Sequence, residues 1–140
     1  MRPVGLAVTL LLALLLPTAA CQNRGREEAA GVMRALDLLR AAPNDQKRAP
    51  LEALAKVPCS LPTVCAARDH CAGVYRHLAD AEDRMQAMAE TLTKGPPPTA
   101  EAKNALSTQL VRAEAEIDDF RRELRVCEEA ASRMRRTYGI

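Results

Sequence analysis

The sequence predicts an all-α protein: a long, coiled-coil-like antiparallel helical hairpin with one or two shorter N-terminal helices, stapled by disulfides. Apolar residues recur every three or four positions over residues 64–92 and again over 106–138, with the stretch GPPP at 95–98 between them. This spacing is typical of one face of a helix. Four cysteines lie between residues 59 and 127. A composition with 2% aromatic and 27% charged residues is typical of charged, alanine-rich helices.

Residues 26–58 are predicted to form short helices that precede the hairpin. The first runs from Arg26 to Ala41 and ends at the turn-forming stretch APND. The second runs from Pro50 to Val57, where proline suits the first helical turn. A cysteine-bearing turn over 58–62 follows. The positions expected to face the core are Ala29, Val32, Leu36 and Leu39 in the first helix and Leu51 and Leu54 in the second.

The hairpin, residues 59–140, carries the strongest pattern. Proline-rich residues 95–98 cannot continue a helix, and two long helices joined by four residues must run antiparallel. The second helix, Thr99 to about Thr137, is expected to be roughly 58 Å long at about 1.5 Å per residue. An apolar stripe of two positions in seven predicts a coiled-coil seam rather than a broad globular face.

The alignment of the two long helices is selected by the cysteines and the flanking charges. One alignment places Cys71 opposite Cys127, whereas a shift by one heptad separates these cysteines and brings Arg68 to Arg121. The first alignment is therefore predicted. Its expected flanking pairs are Arg84 with Glu116, His77 with Glu123 and Arg68 with Glu128.

This alignment predicts a disulfide between Cys71 and Cys127, and a second between Cys59 and Cys65 follows by elimination. The alternative connectivity joins Cys65 to Cys127 and Cys59 to Cys71. It is less favoured because Cys65 lies one position off the seam.

The first twenty residues have the pattern of an export signal. Arg2 precedes an uncharged apolar run, Val4 to Leu16, which is followed by proline and small residues. The run has 13 residues, and a membrane-spanning helix needs about 20. Residues 1–20 are therefore predicted to be a signal peptide that is removed.

The end of this segment resembles a bacterial lipoprotein signal, in which a small residue precedes a cysteine that is diacylated and becomes the new N-terminus. Ala19, Ala20 and Cys21 carry the resemblance. Two positions depart from the pattern: Thr18 stands where leucine is usual, and Pro17 precedes it. Ordinary cleavage, with secretion to the periplasm and no lipid, is the alternative.

The resemblance implies a lipid, palmitate included, on Cys21, followed by a polar tether over 21–25. Lipidation of Cys21 would leave an even number of cysteines for two disulfides in an oxidising compartment. Gln22 replaces the aspartate that would resemble an inner-membrane retention signal. The expected location is therefore the bacterial cell envelope, at the outer membrane.

Charge and motifs exclude several function classes. The chain has 20 basic and 18 acidic residues, and removal of the signal peptide takes away only Arg2, which leaves a formal charge of +1. A nucleic-acid binder needs a concentrated basic face, so this nearly balanced charge argues against that class. No G-x-S-x-G, glycine-rich phosphate loop, HExxH or CxxC motif occurs, so we expect no enzyme and no cofactor. His70 and His77 lie two turns apart, about 10 Å along a helix, which is too far for one metal ion.

Arginines near the C-terminus form the remaining candidate site. Arg133, Arg135 and Arg136 are expected either to contact anionic lipid headgroups or an acidic envelope polymer, or to interact with the helix dipole and neighbouring acids. Met85 and Met88 either line an adaptable peptide groove or fill the seam.

The function expected from these patterns is that of a membrane-anchored structural or protein-interaction module, whose tip and exposed helix faces bind another envelope protein. The alternative is a small ligand- or metal-binding periplasmic carrier, with the N-terminal helices closing a pocket against the hairpin. The sequence makes no prediction of the oligomeric state.

Overall fold

The protein is all-α over the residues that the structure describes. The computed structural model describes the backbone of residues 16–140 and the side chains of residues 23–140. Most of the predicted signal peptide and the side chain of Cys21 lie outside the described residues. The helices are α1 (Leu16–Ala41), α2 (Arg48–Ala55), α3 (Pro62–Lys94) and α4 (Ala100–Tyr138), with a short 3-10 turn at Asn44–Gln46.

Helices α3 and α4 form the predicted antiparallel hairpin. They contain 33 and 39 residues, which corresponds to about 50 and 58 Å at ~1.5 Å per residue. Pro62 opens α3, where its missing N–H costs no helical hydrogen bond. At α4, the Thr99 hydroxyl accepts a hydrogen bond from the Ala102 N–H, and Gly139 ends the helix at a φ of 64°. The turn over 95–98 joins them, as predicted.

Both predicted disulfides are present. Cys71 and Cys127 are joined across the two long helices with a Cα–Cα distance of 5.0 Å. Cys59 and Cys65 are joined across the start of α3 with a Cα–Cα distance of 5.5 Å. The first pair is fully buried in the seam, whereas the second is partly exposed. The predicted helix alignment and connectivity are thereby confirmed.

Helices α1 and α2 cover one face of the hairpin near its open end, which we call the base; the turn at 95–98 is the tip. Helix α1 runs antiparallel to α4, with Gly25 near Tyr138 and Arg40 bonded to Glu128. All the N-terminal residues predicted to face inward are buried: Ala29, Val32, Leu36, Leu39, Leu51 and Leu54. These residues and the lower seam form one core.

The core ends about halfway along the hairpin. The last buried residue of α3 is Ala81, and the buried residue of α4 nearest the tip is Ala113. We call residues 82–112 the distal half. Below it, α3 buries a second face, which includes Tyr75, because α1 and α2 pack there. For the two long helices the sequence predicted only the seam, so this second buried face of α3 is a correction.

The predicted polar tether over residues 21–25 is a second correction. Helix α1 begins at Leu16, so these residues continue the helix. Gly25 is buried, and a Cβ there would lie 2.8 Å from Tyr138 Cε1 and 2.9 Å from Leu61 Cδ1. A larger residue at this position would displace the side chains of Tyr138 and Leu61, so glycine favours the close packing of α1 here. Helix α2 begins at Arg48, two residues before the predicted start.

Of the three predicted pairs of flanking charged residues, one is formed in the structure. Arg84 Nε donates to Glu116 Oε1 at 3.1 Å, as expected. Arg68 instead donates to the Val57 carbonyl at 2.6 Å and pairs with Asp69. Glu128 is taken by Arg40, whose Nη2 donates to both carboxylate oxygens at 2.8 and 2.7 Å. No hydrogen bond joins His77 to Glu123 within the described residues.

Lys47 fixes the end of α1. Its Nζ donates to the carbonyls of Leu39, Arg40 and Ala42 at 2.9, 3.3 and 2.7 Å. These carbonyls have no partner within the helix, so the ammonium satisfies them and interacts favourably with the helix dipole. The ammonium also lies 5.7 Å from the centroid of the Tyr75 ring. Burial lowers the pKa of Lys47.

Glu28 of α1 fixes the start of α3. Its carboxylate accepts hydrogen bonds from the Ser60 hydroxyl at 2.6 Å, the Ser60 N–H at 2.7 Å and the Leu61 N–H at 3.2 Å. These bonds, of which the Ser60 hydroxyl contributes most, lower the pKa of Glu28 from 4.5 to about 2. A carboxylate at a helix N-terminus is also favoured by the dipole.

Candidate functional site

The distal half of the hairpin has an open apolar seam. Leu92 is 57% exposed, Leu110 is 47% exposed and the neighbouring Val111 is 61% exposed. In a closed coiled coil, seam residues insert into holes between residues of the facing helix. Here no described element of the chain covers the seam beyond Ala81, and its large side chains remain in contact with solvent.

A cleft with a polar rim lies beside this seam. It has a volume of about 510 Å³. Met88 and Leu106 supply large apolar walls, and Asp80, Asp83 and Arg84 supply charged edges. Its other lining residues are Ala87, Thr91 and Gln109. An apolar centre inside a polar rim is the usual arrangement of a protein-binding surface.

The charged rim is held by contacts between helices. Arg84 Nη1 donates to Gln109 Oε1 at 3.0 Å, in addition to the bond with Glu116. Arg48 at the start of α2 donates to Asp80 at 2.7 Å and pairs with Asp83. The N-terminus of α2 therefore lies at the lower edge of the cleft. Met85 and Met88 are both partly exposed, so the seam is not sealed at this level.

A second cavity, which we call the base groove, lies between α3 and α4 near the base. Its volume is about 390 Å³, and its walls are mostly apolar. A hydrogen bond of 3.2 Å between the Thr63 and Tyr138 hydroxyls lies at the groove. The lining residues are Thr63, Ala66, Ala67, His70, Val126, Ala130, Arg133, Met134, Thr137 and Tyr138. The sequence analysis did not predict this groove. Its signal in the sequence is the set of small and apolar residues that lie outside the seam, namely Ala66, Val126 and Ala130.

The three candidate arginines do not form one patch. Arg133 and Arg136 share a face of α4, where both line a shallow surface cavity. Neither forms an ion pair with any described residue. Arg135 is directed toward α1, where its Nη2 lies 3.4 Å from Asp37 Oδ1. The structure thus places Arg133 and Arg136 together, whereas Arg135 forms an ion pair with α1.

The described part of the chain contains no group of three or more His, Cys, Asp or Glu side chains that could hold a metal ion. The four cysteines after residue 22 are all in disulfides, so none offers a thiolate ligand. His70 lines the base groove, where its Nε2 is buried with no hydrogen-bond partner among the described residues.

Within residues 16–140, none of the helices has an apolar stretch sufficient for a membrane span.

Comparison with known proteins gave no match to a family model, to a curated protein or to a solved structure.

Proposed function

We propose that this protein is a lipid-anchored module of the bacterial cell envelope, and that the distal half of its hairpin binds another envelope protein. The observation that carries the proposal is the open apolar seam, in which Leu92 is 57% exposed and Leu110 is 47% exposed. Two other residues of the seam, Met88 and Leu106, line the polar-rimmed cleft. Exposed apolar surface rimmed by polar residues is typical of interaction sites.

The disulfides support an envelope location. Cys59–Cys65 and Cys71–Cys127 use every cysteine after residue 22, and stable disulfides are typical of oxidising compartments. Cys21 is then the one cysteine with no disulfide partner left in the chain. A lipid thioether at Cys21 would account for it, in agreement with the lipoprotein-like signal.

The geometry suits an anchor at one end and a contact at the other. Gly25 packs against Tyr138 at the base, and Cys21 precedes Gly25 by four residues, about 6 Å along a helix. The tip lies at the far end of helices about 50 Å long. An acylated Cys21 would therefore hold the base at the membrane and leave the distal half free to meet a partner.

The anchor is tested by comparing the full-length chain with Cys21→Ser in a Gram-negative host. We expect the parent protein in the membrane fraction with incorporated palmitate, and the variant in the soluble envelope fraction without it. Equal membrane association of the two proteins, with no palmitate in either, would contradict lipidation.

The interaction surface is tested by photo-crosslinking from single positions at one height of the hairpin. A photoreactive residue at Leu110 lies on the seam, and the same residue at Thr108 lies on the outer face of α4 as a matched control. We expect a specific adduct from Leu110 and none from Thr108. Equal yields from both positions would count against the seam.

The turn itself is tested separately. Residues 94–99 are replaced by a short Gly-Ser segment, and the crosslinking from Leu110 is repeated. Loss of the adduct is expected if the turn is part of the contact, whereas an unchanged adduct would restrict the contact to the seam.

The exposed arginines at the base support a contact with anionic lipid headgroups, because Arg133 and Arg136 form no ion pair with any described residue. Each such cation near a membrane contributes about 1 kcal/mol to binding. We expect Arg133→Glu with Arg136→Glu to weaken binding to anionic liposomes. Arg121→Glu with Arg122→Glu, farther from the base, is the control, and no difference between the two variants would remove this part of the proposal.

A further inference from the structure

Beyond the anchor and the distal contact, we infer that the base groove binds one fatty carboxylate, with its alkyl chain between α3 and α4 and its headgroup at Arg133. The distal half takes no part in this site, so it is independent of the interaction proposed for the seam.

The walls of the groove suit an alkyl chain. Ala66 on α3 and Ala130 on α4 are small, so they leave a channel beside the seam, and Val126 and Met134 supply apolar surface along it. Ligand sites have volumes of roughly 300–1,000 Å³. At about 390 Å³ the groove is near the lower limit, which favours a single chain over the two chains of a diacyl lipid.

The cation at the groove suits a carboxylate. Arg133 lines the groove and has no carboxylate partner among the described residues. Two other arginines of α4 are paired: Arg135 with Asp37, and Arg125 with Glu129 at 2.6 Å. Arg136 has no ion pair among the described residues either, but it does not line the groove. A guanidinium presents a planar fork of donors that matches a carboxylate in two parallel hydrogen bonds. A fatty carboxylate therefore satisfies the charge and the apolar surface together.

His70 is another polar side chain at the groove. Its Nε2 is covered from solvent and has no hydrogen-bond partner within the described residues, although the ring lines the groove. A buried polar atom without a partner costs free energy, and native proteins rarely leave one unexplained. Because this atom has almost no exposed surface, a ligand in the groove would reach it only if the ring turned, so the proposed site rests on Arg133 and the apolar walls.

The groove is held open by the fold. The Tyr138 hydroxyl is hydrogen-bonded to Thr63, and its ring packs beside Gly25 of α1. Higher in the hairpin, the disulfide between Cys71 and Cys127 fixes the separation of α3 and α4. A site walled by two helices joined covalently needs little reorganisation on binding.

The test uses the full mature chain carrying Cys21→Ser, so that no acyl group of its own can occupy the groove. Sodium laurate is titrated below its critical micelle concentration by calorimetry, with the methyl resonances of Val126 and Ala130 followed by NMR. We expect saturable binding of one laurate per chain with shifts at both residues. Absence of saturable binding would overturn the proposal.

Two pairs of variants locate the site. Arg133→Gln should weaken laurate binding about tenfold or more, since it removes a charge-assisted contact, while Arg122→Gln, outside the groove and the base, should leave it unchanged. Ala66→Phe should fill the groove and abolish binding, while Ala89→Phe, on an exposed part of α3 outside the groove, should not. Laurate affinity unchanged by Arg133→Gln or by Ala66→Phe would overturn the assignment.

Two further probes, a neutral alcohol and phospholipid vesicles, test whether the groove recognises the carboxylate itself or a membrane surface. Dodecanol should bind more weakly than laurate, and its affinity should be the same for the parent chain and for Arg133→Gln. Binding to anionic phospholipid vesicles without any binding of laurate would overturn this proposal and would leave the membrane contact and the anchor intact, because those are read out by vesicles and by palmitate on Cys21.

Discussion

The two disulfides should contribute unequally to stability, because they close loops of very different length. Cys71 and Cys127 are 56 residues apart, whereas Cys59 and Cys65 are 6 apart. In the chain-entropy description, the long loop corresponds to about 4 kcal/mol and the short one to about 2 kcal/mol. Replacing Cys71 and Cys127 by alanine also removes buried sulfur atoms from the seam, which adds a packing cost.

The assay is urea unfolding followed by far-UV circular dichroism on the parent chain and on two double variants. The change Cys71→Ala with Cys127→Ala should cost more free energy of unfolding than Cys59→Ala with Cys65→Ala, by at least about 2 kcal/mol, since the packing cost adds to the difference in loop entropy. Mild reduction of the folded protein should open the partly exposed Cys59–Cys65 bond first. Equal costs, or a smaller cost for the inter-helix pair, would refute the reasoning.

Three further predictions concern the packing of α1. Lys47→Met should lower the free energy of unfolding by about 2 kcal/mol or more, because the carbonyls at the end of α1 lose a charged donor. Urea unfolding of this variant beside Lys47→Arg measures the loss. An unchanged midpoint in the methionine variant would contradict the capping role. Glu28 has a folded pKa of about 2, below its ordinary 4.5, so its contribution is complete above pH 4.5 and is lost as the pH falls toward 2. Glu28→Gln should therefore be less stable at neutral pH and should lose less stability over that acid range; parallel pH profiles for the two proteins would contradict this. Gly25→Ala should destabilise the fold because its Cβ would lie 2.8 Å from Tyr138 Cε1, whereas Gly73→Ala, with open space around it, should raise stability by up to ~1 kcal/mol; thermal melts that rank the two alanine variants in the opposite order would contradict the packing.

The hairpin was predictable because several local signals agree. A two-in-seven apolar stripe, a proline-rich turn at 95–98 and two cysteines at matching heights leave one favourable alignment. The observed Cys71–Cys127 bond and the Arg84–Glu116 pair both follow from it. Contacts between two helices depend mainly on the spacing of residues along each helix, and this spacing can be read directly from the sequence.

The proximal core was less predictable because it depends on how α1 and α2 dock. Tyr75 lies off the seam, yet it is buried and packs edge-on against Phe120 with ring centroids 5.5 Å apart. Glu128 was expected to meet Arg68 across the hairpin, but α1 brings Arg40 closer. A third element changes which faces are buried and which charges meet, and the spacing within one helix does not encode this.

The start of α1 and the cap at its end were missed for local reasons. Glycine and polar residues at 22–25 favour a tether by composition, whereas Gly25 packs closely against Tyr138 in the structure. Lys47 lies in a short polar connection, where a lysine is usually exposed. Its burial follows from the three carbonyls it satisfies, which can be seen only in three dimensions.

The proposed anchor at Cys21 and the pairing of the other four cysteines can be tested by one measurement. Non-reducing peptide mapping by mass spectrometry, on protein recovered from the envelope of a host that processes its own signal, tests this directly. The predicted result is an acylated N-terminal peptide beginning at Cys21, with Cys59 linked to Cys65 and Cys71 linked to Cys127. A free thiol at Cys71 or Cys127, or an unmodified Cys21 bonded to either, would contradict the account.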